Sequence, residues 1–262
     1  MTDCQHKIRR HPRSGILKRL PLPQLLIGMM LLQSAPQVSQ AEPLPFRAVY
    51  KATAKGIPVV AEGIRELTRL TDNSYLLTSS VDSWIASIDE QSLFTWQSDN
   101  QFLPTEYQYH RHGIGKDRDA ILKFDWSIHQ VLNDVQSKPW KMTIPEGAMD
   151  KLGYQIKMRA DLQHHYANST PKPELSYLIA DGGRVKTYNF EILGEEYIDT
   201  PVGRLNTVKI VRLRDNNKRS TIFWLAKDWD FLLVRLQRIE PGKSFDLSLK
   251  KATLNGIDVR VN

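Results

Sequence analysis

Phe46-Arg47-Ala48-Val49-Tyr50-Lys51-Ala52-Thr53 sets Phe46, Ala48, Tyr50 and Ala52 against Arg47, Lys51 and Thr53. Alternation of apolar and polar side chains at a period of two is the signature of a half-buried β-strand. The same texture, short and rich in aromatic or β-branched residues, recurs along the chain. It marks Tyr75 to Trp84, Leu93-Phe94-Thr95-Trp96, Tyr107-Gln108-Tyr109, Ala120 to Trp126, Gln130 to Val135 and Trp140 to Ile144. Beyond these come Leu175 to Ala180, Val185 to Leu193, Leu205 to Leu213, Thr221 to Leu225, Phe231 to Arg238 and Phe245 to Leu254. Asp181-Gly182-Gly183 and Asn216-Asn217 supply residues that tolerate positive φ, as tight hairpins require. Thr71 to Ser74 and Gly113-Ile114-Gly115 mark longer turns. About a dozen strands at this spacing predict a mainly β protein, its antiparallel sheet curved into a barrel or half-barrel.

One segment departs from the pattern. Between Glu146 and Tyr166, the residues Met149, Leu152, Ile156, Arg159 and Leu162 recur at helical spacing. Pro145-Glu146 marks a start, and Asn168 with Pro171 an end. The spacing predicts one α-helix over about 149–166, packed against the curved sheet. An outer-membrane barrel would alternate more strictly over about ten residues. Here strands such as Lys186-Thr187-Tyr188-Asn189-Phe190-Glu191 carry charge on both faces.

Residues 1–41 read as an address. Lys7, Arg9, Arg10, Arg13, Lys18 and Arg19 precede the apolar run Leu25 to Leu32, and Ser39-Gln40-Ala41 follows. That order predicts a secretory signal peptide cut after Ala41, since the run is far too short to span a bilayer. The expected product is a single periplasmic domain, 42–262, not integral to the membrane. The chain of 262 residues has a formal charge of +7, and the address carries five of those units, leaving +2. Bulk charge therefore makes no case for nucleic acid. The one cysteine, Cys4, leaves with the address, which excludes a thiol nucleophile, a redox pair and a thiolate metal site.

Candidate chemistry is sparse. His110 and His112, two apart on a strand, face the same way and could share a metal; without a third ligand they read as half-exposed side chains near a basic turn, and no metal site is assigned. His164-His165 diverge around the helix. Asp117 and Asp119 flank Arg118, and Asp228 and Asp230 flank Trp229; both pairs read as turn residues rather than as an acid–base couple. Asp125, between Phe124 and Trp126, faces away from both aromatics. Arg212, Arg214, Lys218 and Arg219 surround a hairpin turn that could meet phosphates or anionic headgroups. No nucleotide loop, nucleophile elbow or zinc-protease motif is present, so no catalytic residue and no cofactor is assigned. All six tryptophans follow residue 41. They read either as core or as an aromatic lining for an apolar ligand, with Trp126, Trp140 and Trp224 as the expected lining.

Phe124-Asp125-Trp126, then Pro145-Glu146-Gly147 with Asp150 and Leu152, then Thr200-Pro201-x-Gly203-x-Leu205-x-Thr207, and last Trp224-Leu225-x-x-Asp228 occur in that order. Together they resemble the exported bacterial domain-of-unknown-function family 3108, from about Leu44 to about Asp258. Trp229-Asp230-Phe231 departs from the charged residues and proline expected there. The resemblance implies a periplasmic β-rich domain with one helix and brings no catalytic residue with it. The expected function is a non-catalytic envelope module that binds or carries an apolar, lipid-like ligand. The alternatives are an assembly factor that recruits an envelope protein through exposed edge strands, and a hydrolase acting on polysaccharide.

Overall fold

The computed structural model describes residues 42–261 apart from 56, 72, 98–99, 114, 169–170 and 215–218. The expected signal peptide with Cys4, and Asn216-Asn217 and Lys218, lie outside the described residues. In chain order the elements are β1 (Phe46–Ala54), β2 (Ile57–Arg69), β3 (Ser74–Asp82), β4 (Ala86–Trp96), β5 (Phe102–Gly113), β6 (Arg118–Asp125), β7 (Gln130–Val135) and β8 (Pro139–Thr143). The helix α1 (Tyr154–Asn168) follows, then β9 (Leu175–Ala180), β10 (Val185–Thr200), β11 (Gly203–Leu213), β12 (Ser220–Ala226), β13 (Leu232–Glu240), β14 (Lys243–Leu254) and the short β15 (Ile257–Asp258).

All the strands join one antiparallel sheet in the order 8-7-6-5-4-3-2-1-14-13-12-11-10-9, with β15 beside β14. Hairpin follows hairpin except at the centre, where β1 pairs with both β2 and β14. So many twisted strands cannot stay flat. Bulges at Val49/Tyr50, Leu93/Phe94, Ile192/Gly194 and Trp224/Leu225 bend the strands further. The ladder does not close: β8 and β9 are its two edges. This is the expected curved sheet with one packed helix. The chain leaving β8 nonetheless covers part of the β9 edge. The Met149 N–H donates to the Leu178 carbonyl at 2.7 Å, and the Ala180 N–H donates to the Met149 carbonyl at 2.8 Å. At the other edge β8 carries Pro139 and Lys141, residues that discourage further strand pairing.

Two sequence expectations need correction. The strand β2 has no counterpart among them, because its inward positions include Gly63 and Arg65 and so hide the apolar alternation. The helix begins at Tyr154 rather than near 149. Met149 is held in its bridge to Ile179, and Asp150 organises the following turn. One Asp150 oxygen accepts the N–H groups of Leu152 and Gly153 at 2.8 and 2.6 Å. The other accepts the Ser92 hydroxyl of β4 at 2.6 Å.

The helix then enters the concave face. Ile156, Met158, Arg159, Ala160 and Leu162 are all buried, so it has no single apolar stripe and acts as a plug. Around it lie the expected Phe46, Ala48, Tyr50 and Ala52 of β1, with Leu67, Tyr75, Leu77, Phe94, Phe102 and Tyr107. Its first turn rests in an aromatic cluster: Tyr154 stacks on Phe190 at 5.6 Å and meets the Tyr188 edge at 5.8 Å.

Just before the helix, Gly153 lies so close to the Phe102 ring that a Cβ there would come within 1.9 Å of it. Gly153→Ala is therefore expected to lower stability by about 1–3 kcal/mol, the usual cost of overpacking. Adding Phe102→Leu should recover part of the loss. Urea unfolding midpoints of the parent and the two variants check this, and an unchanged midpoint for Gly153→Ala would refute the packing.

Candidate functional site

The plug is tied to the sheet by buried polar groups. Arg65 donates to Gln155 at 2.8 Å. Tyr107 donates to Glu90 at 3.1 Å, and burial pushes the Glu90 carboxyl above the usual carboxylate range. Tyr50 donates to the Leu233 carbonyl at 2.9 Å, and burial pushes its phenol up to about 12. Arg159 pairs with Asp230 in the β12–β13 turn and lies 4.8 Å over the Phe46 ring. Both partners are nearly inaccessible, so this is a buried ion pair. Asp230 is thus committed to holding the helix. Between helix and sheet, Tyr50, Arg65, Met158, Phe223 and Leu233 surround a cavity of about 20 Å³. That is room for about one water molecule and not for an acyl chain.

The other end of the concave face is different. The ends of β1, β3, β5, β9, β11 and β13 all lie at that end of the antiparallel ladder, which forms a mouth. Register aligns Val81, Ile88 and Arg111 on the inner face. It likewise aligns Thr221, Arg238 and Phe245 and sets Arg212 beside the buried Phe190. Val81, Ile88, Tyr109, Leu236 and Phe245 are only half-buried, so apolar surface remains open. Arginines share that surface. Arg212 lies 3.1 Å from the centre of the Tyr188 ring, and Arg214 donates to Thr221 at 3.3 Å. The Nε atoms of Arg65, Arg111, Arg212 and Arg214 are buried without a hydrogen-bond partner. Among the described residues, Glu240 pairs at this rim with Arg238 and Arg219, and Asp181 of the β9–β10 turn pairs with Lys151 and Lys186. Burial and the neighbouring charges of Arg212 and Arg238 lower the Arg214 pKa.

Tyr109 on β5 feels the charge of Arg238 on β13. Those strands are six places apart in the ladder, roughly 29 Å along the sheet at about 4.8 Å per strand. Only an interaction across the concavity is short enough. At the rim, Trp84 in the β3–β4 turn is 87% exposed.

The three tryptophans expected to line a site sit on separate parts of the sheet, and neither cavity described here includes them. Trp224 is on the outer face, its indole N–H on Glu196 and its ring between Lys209 at 5.2 Å and Arg235 at 5.1 Å. Trp126 donates to the Pro104 carbonyl at 2.8 Å and stacks on Phe124. Trp140, on the β8 edge, packs against Gly183 in the β9–β10 turn, so it helps to bring the two edges together. Asp125 accepts from the backbone and hydroxyl of Ser127, a turn role. His164 and His165 border an open groove of about 370 Å³ beside Lys157, Asp161 and Tyr177. The sequence reading named Arg212 and Arg214 as a turn cluster. It took Arg111 only as part of a basic turn and missed Arg238 at the mouth and Arg65 under the helix, none of which a motif marks.

At the seam, Asp181 accepts from Lys151 at 2.6 Å, from Lys186 at 2.5 Å and from the Tyr188 hydroxyl at 3.2 Å. It latches the turn before the helix to the β9–β10 hairpin. Burial pushes its pKa up, but the two ammonium groups outweigh this and hold it at about 2.

The chain belongs to the family described as "Protein of unknown function (DUF3108)", which matches residues 49–249. No curated protein matches its sequence. Among solved structures it is similar to a β-barrel-like protein of domain of unknown function DUF1849 from Brucella abortus. The identity is 11%, with 82% of this chain and 99% of that chain covered at a TM-score of 0.51. A putative outer membrane lipoprotein-sorting protein domain from Vibrio parahaemolyticus aligns at 9% identity over 82% of this chain and 87% of that one, with a TM-score of 0.23. A DUF1329 family protein from Desulfovibrio piger aligns at 11% identity over 84% and 87%, with a TM-score of 0.25. The first shares the fold; the other two overlap too loosely to bear on it. No helix among the described residues is long and apolar enough to cross a membrane.

Two outcomes are expected of the anchors. Arg159→Met should cost about 3–5 kcal/mol, because it strands a buried carboxylate. Adding Asp230→Asn, an amide tolerated at the positive φ of that position, should restore much of the loss in chemical denaturation. For Asp181 the folded pKa lies below the unfolded value of about 3.9. The stability it confers is therefore full above about pH 4 and fades as pH falls towards 2. Melting curves between pH 2 and 7 should show Asp181→Asn less stable than the parent near neutrality and converging with it in acid.

Proposed function

We propose that the protein is a non-catalytic carrier or binding module of the bacterial periplasm, and that its ligand is an amphiphile with an apolar chain and an anionic head. The observation that carries this reading is the mouth. Half-exposed Val81, Ile88, Leu236 and Phe245 share one concave surface with Arg111, Arg212, Arg214 and Arg238, and buried guanidinium nitrogens there lack partners. Like charges held together in a partly desolvated place are costly unless an anion joins them. A carboxylate or phosphate supplies what arginine forks match best. Each methylene laid on the apolar wall contributes about 0.8 kcal/mol, so a modest surface is enough without a deep cavity. The plug keeps the other end shut. Trp84 at the rim fits contact with a membrane surface, where an amphipathic ring is at home.

Displacement of a fluorescent fatty acid from residues 42–262 tests the proposal. Hexadecanoate is expected to compete at least tenfold better than hexadecanol, and Arg111→Gln/Arg214→Gln should remove that preference while the melting temperature stays close to the parent's. Equal competition by the acid and the alcohol, or no probe binding at all, would sink the reading. Export is tested separately: protein recovered from the periplasmic fraction should begin at Glu42 by intact mass.

A further inference from the structure

On the outer face of the mouth, β5 and β6 assemble a group the binding reading does not use. His110 and His112 are two apart on β5 and project from the same side. Register sets Asp119 of β6 directly opposite His110. His110 Nδ1 is 2.8 Å from Asp119 Oδ1, and His112 Nε2 is 3.6 Å from the same oxygen. One donor atom from each residue lies within 4.8 Å of the other two.

We propose that His110 Nδ1, His112 Nε2 and Asp119 Oδ1 form a binding site for a divalent ion of the zinc class. Zinc bonds of about 2.0–2.1 Å at tetrahedral angles separate donor atoms by about 3.3 Å, and the two separations here bracket that figure. The remaining ring nitrogens are also provided for. His110 Nε2 lies 3.4 Å from Gln108 Oε1, and His112 Nδ1 lies 3.7 Å from Asp117 Oδ2. If each of those nitrogens carries its proton towards its acceptor, the lone pair of the other nitrogen is left for metal. This is the outer-shell orientation that metal-ligating histidines use. Asp117 is itself fixed by the Gly113 N–H at 3.2 Å, and Asp119 accepts from Gln136 at 3.5 Å through its second oxygen. Imidazole and carboxylate donors without thiolate suit zinc over calcium or magnesium. Three protein ligands leave one position for water or for a group brought by a partner.

The experiment is a calorimetric titration of untagged residues 42–262 with Zn²⁺ near neutral pH. One equivalent per chain is expected, and Co²⁺ should give the visible absorption of a tetrahedral site. His112→Ala and Asp119→Asn should each weaken binding at least tenfold, and Asp117→Asn should weaken it about tenfold or more. His112 and Asp117 are exposed and Asp119 half-buried, so unchanged melting temperatures without metal should show that the fold is intact. Binding unaltered in the His110→Ala/His112→Ala variant would overturn the assignment. So would the absence of any saturable site, or one ion per two chains.

Discussion

A sheet of this many strands encloses more space than its own side chains can fill, so the fold depends on what fills it and how that filler is held. The filler is one helix, and the decisive restraint is the Asp150 carboxylate. It is fully buried, accepts two backbone N–H groups before the helix and takes the Ser92 hydroxyl from β4. Charge-assisted bonds in a dry interior are strong and directional. They set where the helix starts, and in its second turn Arg159 on Asp230 ties it to the β12–β13 turn. The apolar residues of the helix have then only to pack.

The sequence disclosed the architecture well and the site poorly, for one physical reason. Alternation is a local property, and Phe46 to Ala52 announces its strand unaided. Where inward positions carry Gly63 and Arg65, the same geometry is present and the signal vanishes. The start of the helix shifted because Met149 answers to Ile179, a partner far away in sequence. Gly182 and Gly183 have the positive φ expected of their turn, another local matter. The arginines of the mouth belong to β5, to β11 and the residue just past it, and to β13, and nothing in any of those strands says that they will meet. Asp230 likewise looked like a turn residue, and it is one, but Arg159 gives it a second task.

Net charge proved a poor guide as well. Most of the +7 belongs to the first 41 residues, and what remains is nearly balanced. The balance conceals a partition. Acids and bases pair freely on the outer surface, as Arg235 does with Asp246 and Lys227 with Glu195. The inner face at the mouth keeps cations with few anions. A field of one sign inside a low-dielectric concavity acts at longer range than the same charges spread over a surface.

The meeting of β1 and β14 at the centre of the ladder has a consequence for how the chain acquires its structure. Phe46 pairs with Leu254 and Tyr50 with Leu249, so the middle of the sheet joins its earliest and latest long strands. Contacts of such high sequence separation are slow to form. Until β14 arrives, one edge of β1 stays unpaired and open to other chains. The sheet is therefore completed late, and a nascent chain is exposed at its centre until its final long strand has emerged.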